Sequence, residues 1–298
     1  MWAGVTPRFR QLHSNVLLTD TQLEDGGTKV RGIVGALNER YYGGYNETAN
    51  AFLAGSWGKG TNTRPPRDID LFYVLPIEVF HRFQNAQNNR QSQLLQEVRG
   101  VLSTPYPQTN IRGDGQVVVV GFNTIAVEVV PSFQIEGGRY FICDTHNGGS
   151  YKSANPHAEI VNIEAGDVGS ARNLRSVIRI LKKWKHENNV PLKSYLLEAL
   201  ATEFMAQCQR RSNGYFYYDW IMRDFFTWLV GRANGYLWVP DEIVALGDDW
   251  KSRAENARDR AVRACVHEQQ NQIANAGDEW QKIFGLWVPK HVEPVPGL

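Results

Sequence analysis

The sequence is poor in cysteine and nearly free of net charge, and no apolar run is long enough to cross a membrane. Its three cysteines, Cys143, Cys208 and Cys265, stand far apart, and none belongs to a CxxC pair. That pattern offers no zinc ligands and points to a reducing, cytoplasmic setting. With 32 Lys and Arg against 31 Asp and Glu, the net charge is +1. So balanced a chain is not built to coat nucleic acid or an anionic membrane, and it gives no strong sign of DNA binding. No stretch of 18 apolar residues occurs, and the first residues lack the basic and apolar segments of a signal peptide. The seven histidines show no ligand spacing, and no internal repeat is present. These absences leave a globular chain of 298 residues, with two lobes expected, no zinc, and a soluble substrate.

What is present divides at about residue 167. Thr19 and Asp20 can start a helix that Val30, Ile33, Val34, Leu37 and Tyr41 continue on one face and Gly43-Gly44 ends. Residues 51–54 and Ile69–Leu75 read as strands flanking a loop rich in Gly, Thr, Asn and Pro. Residues 77–102 read as helical, and Gln116–Val120, Thr124–Val130 and Arg139–Cys143 as strands, the first two joined at Gly121-Phe122-Asn123. Residues 144–168 read as irregular. From there the pattern is helical only, over 169–189, 193–212, 218–232 and 248–284, with a tail expected to lack regular structure after Trp287. The expected class is α/β (α+β). Residues 1–167 would form a mixed-sheet core including the N-terminal helices, and 168–298 a helical lobe.

The chemistry concentrates where Gly55-Ser56 closes one strand and Asp68-Ile69-Asp70 opens the next. Side chains alternate along a strand, so Asp68 and Asp70 share a face. Two adjacent carboxylates repel, and oxygen ligands of this kind suit Mg²⁺ or Mn²⁺. A Gly-rich turn bares backbone N–H groups, and Ser56 adds a hydroxyl donor; both suit phosphate. Glu128 interrupts the apolar run Ile125–Pro131. It is either the water-facing side of an alternating strand or a third metal ligand.

The Gly-Ser plus Asp-x-Asp pattern resembles the polymerase-β-type nucleotidyltransferases. Within them the chain is similar to the bacterial cGAS/DncV-like nucleotidyltransferases, synthases of cyclic oligonucleotide second messengers. Glu128-Val-Val-Pro-Ser-Phe, Gly148–Pro156, Arg179–Trp184 and Leu192–Glu198 extend the likeness over roughly residues 20–210. The resemblance implies a nucleotidyltransferase lobe packed on a helical lobe, with a spine helix at 19–42 and nucleotides in the cleft between. It implies that Asp68, Asp70 and Glu128 hold two Mg²⁺ ions, where Glu128 replaces the aspartate common in the superfamily. Gly55 and Ser56 would contact the triphosphate, Lys182 and Ser194 its outer phosphates, and Tyr195 a base. Residue by residue, plainer roles stand beside these: helix surface for Lys182, a helix cap for Ser194, core for Tyr195. The implied substrates are ATP, GTP or both, and the product a purine cyclic dinucleotide made in anti-phage signalling by a monomer with possible regulatory protein partners. The competing readings are a nucleotidyltransferase acting on an RNA, protein or small-molecule acceptor, and a nucleotide-binding regulator without catalysis.

Overall fold

The computed structural model describes residues 2–240 and 242–294. The chain falls into two compact units: Leu18–Ile160, and Met1–Leu17 together with Val161–Leu298.

The first unit opens with helix α2 (Asp20–Tyr42), after α1 (Val5–Val16) of the other unit. Thr19 caps α2 reciprocally: its hydroxyl accepts from Gln22 N, and the Gln22 side chain accepts from Thr19 N. Gly43, at φ +75°, ends the helix in the left-handed conformation that glycine adopts freely. There follow β1 (Ala51–Leu53), the one-turn helix α3 (Gly55–Gly58) and β2 (Ile69–Val74). Next come α4 (Ile77–Gln84), α5 (Arg90–Ser103), β3 (Asn110–Asp114) and β4 (Val117–Gly121). The last strands are β5 (Ala126–Ile135), β6 (Arg139–Asp144) and β7 (Ser150–Ala154). The sheet runs β1-β2-β5-β4-β3, with β6 on β5 and β7 on β6. Among the described residues of this sheet the β2–β5 ladder alone is parallel, so the sheet is mixed.

One face of this sheet is apolar. Ile69, Leu71, Tyr73, Val127 and Val129 pack with Ile33, Val34 and Leu37 of α2 and with Leu94, Leu95, Val98 and Leu102 of α5. The other face carries a smaller cluster of Ala54, Phe72, Val130 and Tyr140. Alternation therefore sends Asp70 and Glu128 to the thinly covered face.

The second unit contains α1, most of α6 (Pro156–Gly169), α7 (Leu174–Glu187), α8 (Ser194–Gln207) and α9 (Tyr218–Val230). A hairpin of β8 (Tyr236–Val239) and β9 (Glu242–Ala245) precedes α10 (Lys251–Gln269) and α11 (Ile273–Phe284). Trp184, Trp250, Trp280, Phe9, Phe225 and Phe226 fill its core.

The structure differs from expectation at several points. Residues 2–17 group with the helical unit, because Val5, Phe9, Leu12 and Val16 are buried in its core. Arg8 adds a second tie. It pairs with Glu268 at 2.7 Å and donates to the carbonyls of Ile273, Pro289 and Lys290, with its side chain wholly buried. The helical stretch at 77–102 breaks at Asn89, whose side chain caps α5 through Ser92 N. The segment read as irregular forms β7, through pairing with β6, and α6. The C-terminal part is not helical throughout: β8–β9 interrupts it, and left-handed Asn271 separates α10 from α11. Residues 288–294 lack regular structure as expected, and 295–298 lie outside the described residues.

Candidate active site

The site is built where β1 hands over to β2. Ala54 N donates to Asp70 O at 2.9 Å, which fixes the end of β1 beside the start of β2. The chain then turns sharply into α3, with Gly55 at φ +51°. Gly58 N returns to Ala54 O and Thr61 N to Ser56 O, both at 2.8 Å, so the Gly-Ser turn is held by its own backbone. A Cβ on Gly58 would fall 2.2 Å from Leu53 O, and only glycine fits there. Lys59, almost wholly buried, leads out of the turn and pairs with Glu159 at the start of α6 at 2.8 Å.

Asp68 directly precedes β2 and is exposed; Asp70 is half-buried within it. In the parallel ladder Asp70 stands opposite Glu128, so the third acid lies beside the second on the same face. The register continues outward: Glu128 faces Val119 on β4, and Val119 faces Arg112 on β3. Arg112 and Asp114, 4.0 Å apart, thus belong to the same face as the three acids. Sequence reasoning missed both, because β3 carries only one buried residue, Ile111, and shows no apolar alternation. Burial pushes the Glu128 carboxyl up to about 7, and the negative charges of Asp68, Asp70 and Asp114 add to the shift, while Arg112 opposes it.

Among the described residues, no three His, Cys, Asp or Glu side chains are already gathered closely enough to hold a metal ion. The donor set of Asp68, Asp70 and Glu128 nevertheless fits a hard divalent cation in kind. It offers only carboxylate oxygens, on one face, with a mutual repulsion that a cation would relieve.

The remaining sequence candidates lie in the helical unit. Lys182 on α7 forms an ion pair with Glu198 on α8, both largely buried, so it is not merely helix surface. Ser194 is the first residue of α8 and not its cap; that position is Lys193, which makes no side-chain cap bond. Tyr195 packs partly buried against the helical core, with the Lys193 ammonium 5.9 Å from its ring centroid. Gly55, Ser56, Asp68, Asp70 and Glu128 are therefore gathered in one unit, and Lys182, Ser194 and Tyr195 in the other. No helix among the described residues is long and apolar enough to cross a membrane.

Residues 4–166 match the family model of the Second Messenger Oligonucleotide or Dinucleotide Synthetase domain, SMODS. No curated protein matches the chain. Among solved structures, the chain is similar to CdnC of E. coli MS115-1 in its complex with HORMA-deltaN. The TM-score is 0.72 at 18% identity, covering 96% of this chain and 99% of that one. It is also similar to Vibrio cholerae DncV, a cyclic AMP-GMP synthase, in complex with the linear intermediate 5′ pppA(3′,5′)pG. There the TM-score is 0.72 at 12% identity, covering 95% and 97%. A third likeness is to Bradyrhizobium diazoefficiens CdnG in complex with GTP, with TM-score 0.62, 11% identity, and 94% and 95% covered. At these identities the likeness establishes the fold.

Proposed function

Because the chain belongs to the SMODS family and is a nucleotidyltransferase of the class that makes cyclic oligonucleotides, we propose that it joins purine nucleoside triphosphates into a cyclic dinucleotide at Asp68, Asp70 and Glu128. The observation that carries this reading is the β2–β5 register, which sets Glu128 beside Asp70 next to the Gly55-Ser56 turn. Each linkage forms when a ribose hydroxyl attacks the α-phosphorus of a nucleoside triphosphate, losing its proton and expelling pyrophosphate. Closing the ring takes the reaction twice, the linear product re-entering the site. The complex of DncV with a linear intermediate supports that order.

Asp68, Asp70 and Glu128 would hold Mg²⁺ or Mn²⁺, which when bound lowers the pKa of the attacking hydroxyl and neutralises the leaving pyrophosphate. The chain's own part is to place and orient. The Gly55-Ser56 turn offers N–H and hydroxyl donors to the triphosphate. Lys182 and Ser194 bind its outer phosphates. Tyr195 stacks on a base, and the larger face of a purine favours A and G over C and U. The resemblance to anti-phage synthases supports a signalling role in phage defence. The CdnC complex with HORMA-deltaN supports regulation by a protein partner.

The test is incubation with labelled ATP, GTP, CTP and UTP, singly and in pairs, with Mg²⁺ and then Mn²⁺, and mass spectrometry of the product. A phosphatase-resistant cyclic purine dinucleotide is expected. A dominant UTP- or CTP-derived ring would overturn the base preference alone. Elongation of an RNA or protein acceptor would overturn the cyclase reading. No pyrophosphate release from any nucleotide would leave a binding protein without catalysis.

A further inference from the structure

Lys182 projects from α7 with a side chain only 11% exposed, and its ammonium meets Glu198 Oε1 on α8, where the glutamate side chain is 4% exposed. Glu198 follows Ser194 by four residues in the same helix, so the two side chains emerge one turn apart on one side of α8. The ion pair therefore ties the Lys182 ammonium to Glu198, one helical turn after Ser194 on the same side of α8. Lysine is a flexible stem with a strongly hydrated head. A head so little exposed gains from a fixed counter-charge, and the Glu198 carboxylate supplies one.

We infer that Glu198 is a positioning residue for nucleotide binding: it holds the Lys182 ammonium on the side of α8 that carries Ser194, where the outer phosphates of a nucleoside triphosphate meet it. This rests on the reading of Lys182 as a phosphate contact. Glu198 itself touches no substrate. Two other roles predict different behaviour. A carboxylate that only neutralises Lys182 would weaken phosphate binding, so its removal would tighten it. A carboxylate that only ties α7 to α8 would affect melting and leave nucleotide affinity alone.

The experiment measures KM and kcat for ATP and GTP, together with thermal melting, on the full chain. Lys182→Met is expected to raise KM about 10- to 100-fold, the loss of one charge-assisted phosphate contact. Glu198→Gln is expected to raise KM at least about fivefold through misplacement of the ammonium, with a smaller change in kcat, and Glu198→Asp to recover part of the loss. An unchanged or lowered KM in Glu198→Gln, with Lys182→Met impaired, would overturn the inference. An unchanged KM in Lys182→Met would overturn the phosphate reading of Lys182 itself, a separate failure. The Lys182→Met/Glu198→Leu variant covers the case in which Glu198→Gln does not fold, because apolar replacement of both members of a buried pair preserves stability. Its KM should equal that of Lys182→Met alone; a further rise would show that Glu198 acts otherwise than through Lys182 and would overturn the inference.

Discussion

Asp70 Oδ2 lies against the α-carbon of Gly55, so close that a Cβ built there would fall 1.7 Å away from it. The left-handed turn at Gly55 and the position of the second acid are thus one feature of the fold. Gly55→Ala should displace the Asp70 carboxylate and lower kcat by about 10²-fold or more, since small misplacements at a reacting centre are costly. Steady-state kinetics together with circular dichroism checks this. Near-normal turnover in a folded variant would separate Gly55 from the site.

Asp68→Ala and Asp70→Ala should each lower product formation by about 10³-fold or more, the cost of losing a ligand that places charge in the transition state. Melting without divalent cation should stay level or rise, because like-charge repulsion is removed. Glu128→Gln should be severe. Glu128→Asp should retain partial activity, since the acid is kept and only its reach is shortened. Calorimetric scans and product assays on the same preparations decide this.

Arg8→Ala should destabilise the helical unit by about 3–5 kcal/mol, because it strands the buried Glu268 carboxylate and removes the donors to Ile273, Pro289 and Lys290 carbonyls. Urea denaturation followed by tryptophan fluorescence reads the loss. A midpoint like that of the parent protein would mean that water replaces the guanidinium.

Asp219 on α9 is wholly buried, with Trp220 N donating to one oxygen at 2.8 Å. Burial pushes its carboxyl up to about 7, with neighbouring Glu268 raising it further and Arg223 opposing. A raised folded-state pKa means that the native protein holds a proton the unfolded chain has released. Its stabilising contribution is therefore complete below about pH 4 and is lost as pH rises toward 7. Asp219→Asn should flatten that part of the stability profile and gain about 1–3 kcal/mol at pH 8 relative to pH 5. Denaturation midpoints across pH 4–8 test it; an unchanged slope would assign the dependence to Glu268.

The sequence by itself determined the features that depend on neighbours along the chain. Thr19 and Gly43 set the ends of α2 because caps act over three or four residues. Asp68 and Asp70 share a face because side chains alternate along any strand. Gly55 turns the chain at the end of β1 because glycine alone adopts that left-handed backbone freely. Tertiary structure decided what depends on contacts between distant segments. Glu128 could have faced water until the parallel register with β2 put it beside Asp70. Arg112 and Asp114 joined that face only through two successive antiparallel registers. Residues 2–17 went to the helical unit because Val5, Phe9, Leu12 and Val16 enter its core and Arg8 meets a carboxylate 260 residues away, pairings with no local signature. Lys182 likewise found its counter-charge, Glu198, where α7 packs on α8. Local periodicity is set by the geometry of a single chain segment. Strand register and buried ion pairs are set by which surfaces meet once the chain has collapsed, and those partners are fixed only when the whole core is packed.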